Sequence, residues 1–364
     1  SDANDQKTGF ADKQGGTASN GSLIKIGTEL ANTHSKSTSD YASQTAKQST
    51  LNAGTTLSII ANGNAAQNDG DLHVIGSSIK AANTSLLVSN DIILESAQNT
   101  ADWSNRNSNN KTAIGASFNI GQQNGFTLDL GAQLAKGMGN GSSVTQVNTT
   151  VDTGSLLLRS GGDTTLAGAQ VRADEINALI DGNLNIISRQ DTQDQKSKQS
   201  SGGFGASICV PPFCYGTTVA ASANLAAGKM NSEYKGVTEQ TGLFAGTGGY
   251  TVDVGKTTTL EGGVIASDAS ADKNTLITDR LIARDIKNVS EIKAQSAGIS
   301  ISGSYGGAGA SASVGGLYGI ALSESDKSHT RSAVSEGTII VRNPEGAKDV
   351  VALNRDTANA NEKL

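Results

Sequence analysis

Proline, cysteine, methionine, histidine and aromatic residues are all scarce in this chain of 364 residues: 3 Pro, 2 Cys, 2 Met, 3 His, 1 Trp, 6 Tyr and 6 Phe. Each shortage excludes something. Two Cys and three scattered His place a zinc cluster out of reach. Few large aromatics argue against thick globular cores, although the length alone would suggest two or three domains. No run approaches the roughly 18 apolar residues of a membrane-spanning helix. Charge of either sign is modest, 28 Lys+Arg against 34 Asp+Glu for a net −6, which gives nucleic acid no basic surface. Disorder is equally unsupported, because Val, Ile and Leu recur along the whole length.

What is abundant is glycine, at 44 residues, together with Ser, Thr, Asn and Ala. Small polar residues and glycine suit tight repeated turns, and thin layers of Val, Ile and Leu suit a solenoid, in which each layer needs only a few medium side chains. Self-similarity supports this. Gly70-Asp71-Leu72-His73-Val74-Ile75-Gly76-Ser77-Ser78-Ile79, Gly162-Asp163-Thr164-Thr165-Leu166-Ala167-Gly168-Ala169-Gln170-Val171 and the stretch from Gly255 to Ile265 share one layout: a short alternating strand, a glycine turn, then a second strand. Their first glycines lie about 92 residues apart. Shorter strand pairs fill the intervals, Leu86-Leu87-Val88 with Asp91–Leu94 and Ala178-Leu179-Ile180 with Asn183–Ile187, each ending in a polar run. The spacing implies coils of about 20 residues.

Each long unit also carries a stretch of different character. Ile114, Ala116, Phe118 and Ile120 alternate with small or polar residues, Gly121–Gly125 turns the chain, and Phe126, Leu128, Leu130, Ala132 and Leu134 alternate on the way back. Phe204, Ala206 and Ile208 lead out and Val219, Ala221, Ala223 and Leu225 return in the second unit. Ile299, Ile301 and Gly303, then Ala310, Ala312 and Val314, do so in the third. Period-two alternation around a turn signals an antiparallel hairpin. The expected organisation is a polar lead-in over 1–22, a repeat region over 23–342 in three units (23–143, 144–236 and 237–342), and a linker over 343–364 toward a following domain. Ser1-Asp2-Ala3-Asn4 lacks the basic start and apolar stretch of a signal peptide, and the sequence reads as excised from something longer.

Gly162–Ala169, Leu94-Glu95-Ser96-Ala97-Gln98-Asn99-Thr100, and Ala266-Ser267 with Asp272-Lys273-Asn274-Thr275-Leu276 resemble the haemagglutinin repeats of very large proteins exported by two-partner secretion in Gram-negative bacteria. The resemblance covers about residues 23 to 342. More narrowly, coils mixed with Gly-rich hairpins look like the second filamentous-haemagglutinin-type region of contact-dependent growth inhibition effectors, and Asp356–Leu364 is similar to the junction before the toxin portion there. The resemblance implies an all-β fold, a right-handed parallel β-helix with antiparallel hairpin insertions, secreted to the cell surface through an outer-membrane transporter. Its implied partner is the target cell's outer membrane or a surface receptor, with a C-terminal toxin delivered across that membrane. The shaft or binding region of a filamentous adhesin is the alternative.

Candidate chemistry is thin. Gly255-Lys256-Thr257 follows a strand, but a phosphate loop would need Gly at Tyr250 and a helix afterwards. Gly307-Ala308-Gly309-Ala310-Ser311-Ala312 lacks the helix of a dinucleotide fingerprint. No nucleophile elbow and no paired carboxylates emerge. The expectation is therefore a non-enzymatic chain with no catalytic residue, cofactor, metal, small-molecule substrate or nucleic-acid partner. Cys209 and Cys214 flank Val210-Pro211-Pro212-Phe213; in an exported protein they read as a disulfide fixing a hairpin tip, contributing about 2 kcal/mol or less, with a reactive or metal-binding thiol pair as the alternative. The hairpins hold the one functional candidate. Strands that span an outer membrane need about 9 to 11 alternating residues. Ile114, Phe118, Ile120, Phe126, Leu128, Leu130, Phe204, Ile208, Val219, Leu225, Ile299, Ile301 and Val314 are the expected membrane-interacting positions. The competing reading is that the hairpins pair with one another or lie over the coils.

Overall fold

The structure, a computed structural model, describes residues 4–8, 22–63, 69–121, 123–210, 215–307, 309–343 and 352–364. It is all-β; among the described residues the one helical element is a single 3-10 turn, Ala271–Lys273. Two kinds of sheet make up the molecule, and the sequence period distinguishes them.

The first kind is a layered body. Each layer is a long strand followed by a short one: Ser78–Val88 then Ile92–Glu95, Thr149–Ser160 then Thr164–Ala167, Ala169–Ile180 then Leu184–Ile187, Gly242–Val254 then Thr257–Glu261. Long strands stack on long strands and short on short, in two separate sheets, and every pairing in both is parallel. Alternate side chains point inward and meet their equivalents in the next layer. One line runs Leu51, Ile79, Val151, Val171, Leu243, Ile265, Val334. A second runs Ile59, Leu86, Leu158, Ala178, Val252, Leu276, Ile339. The short strands supply Val74, Leu94, Leu166, Ile186 and Leu260 opposite them. Between Leu86 and Leu276 the second line is almost completely buried. A buried Leu or Ile stabilises by about 1.5–3 kcal/mol relative to exposure. A narrow core of aliphatic side chains therefore suffices, which is why so few aromatics are needed.

Polar ladders hold the turn between the long and the short strand. Asp91 donates its backbone N–H to Asp71 Oδ1 (3.1 Å), Asp163 to Asp91 Oδ1 (2.7 Å), Asn183 to Asp163 Oδ1 (2.7 Å), and Thr257 to Asn183 Oδ1 (3.2 Å). The repeated Gly-Asp of the sequence is this ladder: the glycine makes the bend and the carboxylate satisfies the amide one layer on.

At the other corner, where a short strand leads to the next long one, two solutions alternate. Gly76 (φ +50°), Gly168 (φ +72°) and Gly262 (φ +56°) turn the chain within a few residues, in a backbone region that favours glycine. At the intervening corners the chain leaves the body as a hairpin instead: Ala97–Gly121 with Gln123–Val147, Asp191–Cys209 with Tyr215–Gly236, and Ile286–Gly306 with Gly309–Thr330.

These hairpins form the second kind of sheet. They lie side by side, all antiparallel, in the order Asn4–Thr8, Ser22–Gln44, Ala97–Gly121, Gln123–Val147, Asp191–Cys209, Tyr215–Gly236, Ile286–Gly306, Gly309–Thr330. The hairpin strands are 19 to 25 residues long, far longer than the alternating apolar segments that announce them. The polar runs from Ser96 and Ser188 begin outgoing strands rather than end coils, and Ile286 opens the third hairpin. Inside the expected polar lead-in, Asn4–Thr8 pairs with Ala31–Ser35.

The tail 352–364 lies along the last layers. Ala333 bridges in parallel to Asn354, Arg331 donates its N–H to Ala360 O (2.7 Å), and Ala360 is fully buried with Val264 and Ala333.

Candidate functional site

The sequence-expected hairpin residues converge on one face of the antiparallel sheet. Directly opposed residues share a face, so the register can be followed from strand to strand. One row runs Leu30, Ile114, Leu130, Ala206, Ala221, Gly303, Ala312. The next toward the tip runs Thr28, Ala116, Leu128, Ile208, Val219, Tyr305. Toward the root come Thr112, Ala132, Phe204, Ala223, Ile301, Val314, and then Leu134, Gly202, Leu225, Ile299. Phe118 and Phe126 face each other beyond them. The side chain of Ile120 lies outside the described residues; its backbone pairs with Ile24. All the other expected positions join this one apolar face.

Burial on this sheet runs against the usual order. Phe118, Phe126, Leu128, Leu130, Phe204 and Leu225 are exposed, while on the opposite face Ser117 (3% exposed), Thr127 (0%) and Ser207 (7%) are buried. Ser117 Oγ bonds Thr127 Oγ1 at 2.8 Å and donates to Asp129 Oδ2 at 2.7 Å. Near the tips of the first two hairpins, small hydroxyls and glycines thus occupy the covered side, and the aliphatic and aromatic groups face solvent. Contiguous apolar surface left exposed in this way is uncommon on a folded chain.

Several members of the face escaped sequence reading. Leu30 belongs to the outer strand Ser22–Gln44, and Tyr305 extends the face onto the third hairpin, whereas Tyr318 and Ile320, directly opposed to Gly298 and Ser296, fall on the other face. The alternation Ile24, Ile26, Thr28, Leu30 was the available signal for the first. In the third hairpin the register shifts between Gly298 and Ser300, breaking the period that sequence reading follows.

Nearer the root the same face becomes charged. Arg106, Met138, Lys198 and Lys229 form one row, flanked on the tip side by Lys136, Ser200, Ala227 and Ala297. Lys196 and Lys293 follow, and then an acidic row, Asp102, Asp194, Glu233 and Glu291. Lys235 bonds Glu233 at 2.8 Å and holds its carboxyl below the usual range, with smaller help from Lys293 and Lys196. Lys293 pairs with Glu291.

At the roots, adjacent hairpins are tied together. Arg189 Nη2 lies 2.6 Å from Glu95 Oε2, and His73 Nε2 lies 2.6 Å from Glu95 Oε1. Gln190 Nε2 donates to Asn288 Oδ1 (3.0 Å), and Gln146 N–H to Asp191 Oδ1 (2.6 Å). Cys209 is buried and is not a free thiol; Cys214 lies outside the described residues. Among the described residues no group of His, Cys, Asp and Glu could hold a metal ion, and no helix is long and apolar enough to cross a membrane.

Comparison with known proteins places this architecture. The hemagglutinin repeat family matches residues 30–203. The chain is 38% identical over 349 residues to the tRNA nuclease CdiA of Escherichia coli, covering 93% of this chain and 11% of that protein. It is 36% identical over 363 residues to the tRNA nuclease CdiA of Yersinia mollaretii (98% and 12%), and 40% identical over 322 residues to the deoxyribonuclease CdiA of Yersinia pseudotuberculosis (86% and 29%). No solved structure matches. The chain thus spans between about a tenth and a third of the length of these relatives. Taken with the repeated layers and hairpins, the match makes this chain a haemagglutinin-repeat region of the filamentous-haemagglutinin, CdiA-type family.

Proposed function

We propose that the chain is the part of a contact-dependent growth inhibition effector that meets the target cell's outer membrane and helps a C-terminal toxin across it. The observation that carries this reading is the inverted amphipathicity of the hairpin sheet. Phe126 to Leu134 presents apolar side chains at alternate positions over about 26 Å of strand. Outer-membrane strands need about 9 to 11 such residues, with apolar groups outward and polar groups inward. Long antiparallel strands satisfy their backbone groups against one another, as a membrane interior demands.

On the same reading, the two parallel sheets are faces of a right-handed β-helix that holds the hairpins in file. Parallel ladders advancing about 20 residues per layer support it, as does the strong preference of parallel crossovers for the right hand. Cys209 pairs with Cys214 at the second hairpin's tip. The protein reaches the surface of a Gram-negative bacterium through its two-partner transporter. The nuclease activities that name the relatives belong to other portions of such effectors, and this region carries cargo without catalysing a reaction.

The test uses the full-length effector on inhibitor cells. Replacing Leu128, Leu130 and Phe204 with Asp should abolish growth inhibition of targets while leaving surface display and cell–cell binding intact. Undiminished inhibition by that variant would overturn the reading, and loss of cell binding itself would favour an adhesin shaft.

A further inference from the structure

The cations beside the apolar face have no ion-pair partner among the described residues, and their position fits one outside the protein. Lys198 and Lys229 are directly opposed on neighbouring strands, and both are exposed. Directly opposed like charges destabilise a sheet. Arg106 continues the row on the far side of Met138, and Lys136 stands one row nearer the tip. Among the described residues none of these four makes an ion pair, whereas Lys235 and Lys293, closer to the root, are paired with Glu233 and Glu291. The acidic row lies four residues further along each strand, about 13 Å away and beyond the screening length of about 8 Å at physiological salt. The floor between the lysines is small and apolar: Ala227 and Ala297 line a shallow depression there.

Lys136 follows Leu134 by two residues and so occupies the next position on the same face. If the band from Phe126 to Leu134 sits in hydrocarbon, Lys136 and the row behind it come to rest at the depth of the headgroups. Lysine stems lie along apolar surface while the ammonium reaches a polar layer. We propose that Arg106, Lys136, Lys198 and Lys229 form a headgroup-binding row that takes the phosphates of anionic lipids in the membrane the apolar face enters. The proposal rests on the membrane-facing reading above and adds the chemical class of lipid and the residues that select it.

The experiment is co-flotation of the purified chain with vesicles of phosphatidylcholine alone and of phosphatidylcholine mixed with phosphatidylglycerol. The unsubstituted chain should bind the anionic vesicles more tightly, and the preference should fade with added salt. A lysine near an anionic surface contributes about fivefold in affinity, so the triple variant K136Q/K198Q/K229Q should bind anionic vesicles about 100-fold more weakly. It should bind neutral vesicles as before. The corresponding triple Lys→Arg variant should keep the preference, and K256Q, on the layered body, should change neither. Equal binding to both vesicles, untouched by the triple variant, would overturn the headgroup row and leave membrane entry standing. Failure to bind either vesicle would overturn both.

Discussion

A Cβ placed on Gly168 would lie 2.5 Å from Ser96 Oγ and 2.7 Å from Ser96 Cβ, so the corner that turns tightly is pressed against the root of the hairpin one layer away. Gly76 stands in the same relation to Ala97 and Gly262 to Ile286. Closed corners and hairpin roots therefore alternate by mutual exclusion: where one layer sends out a hairpin, the next must turn without a side chain. The positive φ of Gly168 adds a second reason. Gly168→Ala should destabilise the chain by about 1–3 kcal/mol, through strain at positive φ and displacement of Ser96. Thermal unfolding followed by circular dichroism at 218 nm, on the order of the usual β-sheet minimum, measures it. Gly54, whose added Cβ would meet nothing within 4 Å, provides the control and should tolerate alanine with little change.

Much of the layered body was legible, and the reason is that its signals coincide. Gly-Asp at Gly162 marks a bend, Leu166 and Ile186 mark an inward face, and the spacing recurs because one layer templates the next. The hairpins were legible only at their tips. Between Asn105 and Lys111 the outgoing strand is almost wholly polar, because it is held by ladders to Ser22–Gln44 and Gln123–Val147 and not by a core. No burial selects an apolar period there, so none is written. The side-by-side order of the hairpins is not local information at all; it follows from the layers that bring their roots into file. The cation row needed that register too, since Arg106, Lys198 and Lys229 are unrelated in sequence until four strands are laid next to one another.

Glu95 links the corner of one layer to the root of the second hairpin through Arg189, with His73 on its other oxygen. Burial alone would raise the Glu95 carboxyl, but the hydrogen bonds and charges of His73 and Arg189 outweigh it, and its pKa falls below the ordinary 4.5. A carboxylate whose folded pKa is depressed contributes stability above its unfolded value and loses it as pH falls through the folded one. The contribution of Glu95 is therefore complete above about pH 4.5 and is lost progressively as the pH falls below it. Glu95→Gln should lower the melting temperature at pH 7 and lower it by less as the pH falls through the acid range. A melting-temperature difference that stays constant across that range would show that the carboxylate charge is not what joins the two elements.

Tyr250 is the largest fully buried side chain in the core, stacked between Ile176 and Asn274, and its hydroxyl has no hydrogen-bond partner among the described residues. Burial pushes its pKa up to about 12, a shift that the charge of Arg355 only partly offsets. A buried hydroxyl without a partner forfeits its bonds to water, so deleting it removes a penalty of about 1–3 kcal/mol and leaves the ring's packing in place. Tyr250→Phe should thus be as stable as the parent or more so, against the usual direction for a core substitution. The alkaline limb adds an independent check. A group whose folded pKa is raised favours the folded state below its unfolded pKa, near 10, and loses that contribution as pH rises from there toward 12. Unfolding by denaturant at pH 8 and pH 11 should show the parent losing stability more steeply than the Phe variant. A Phe variant that is less stable at pH 8 would mean that the hydroxyl finds a partner, such as a buried water, that the core does hold.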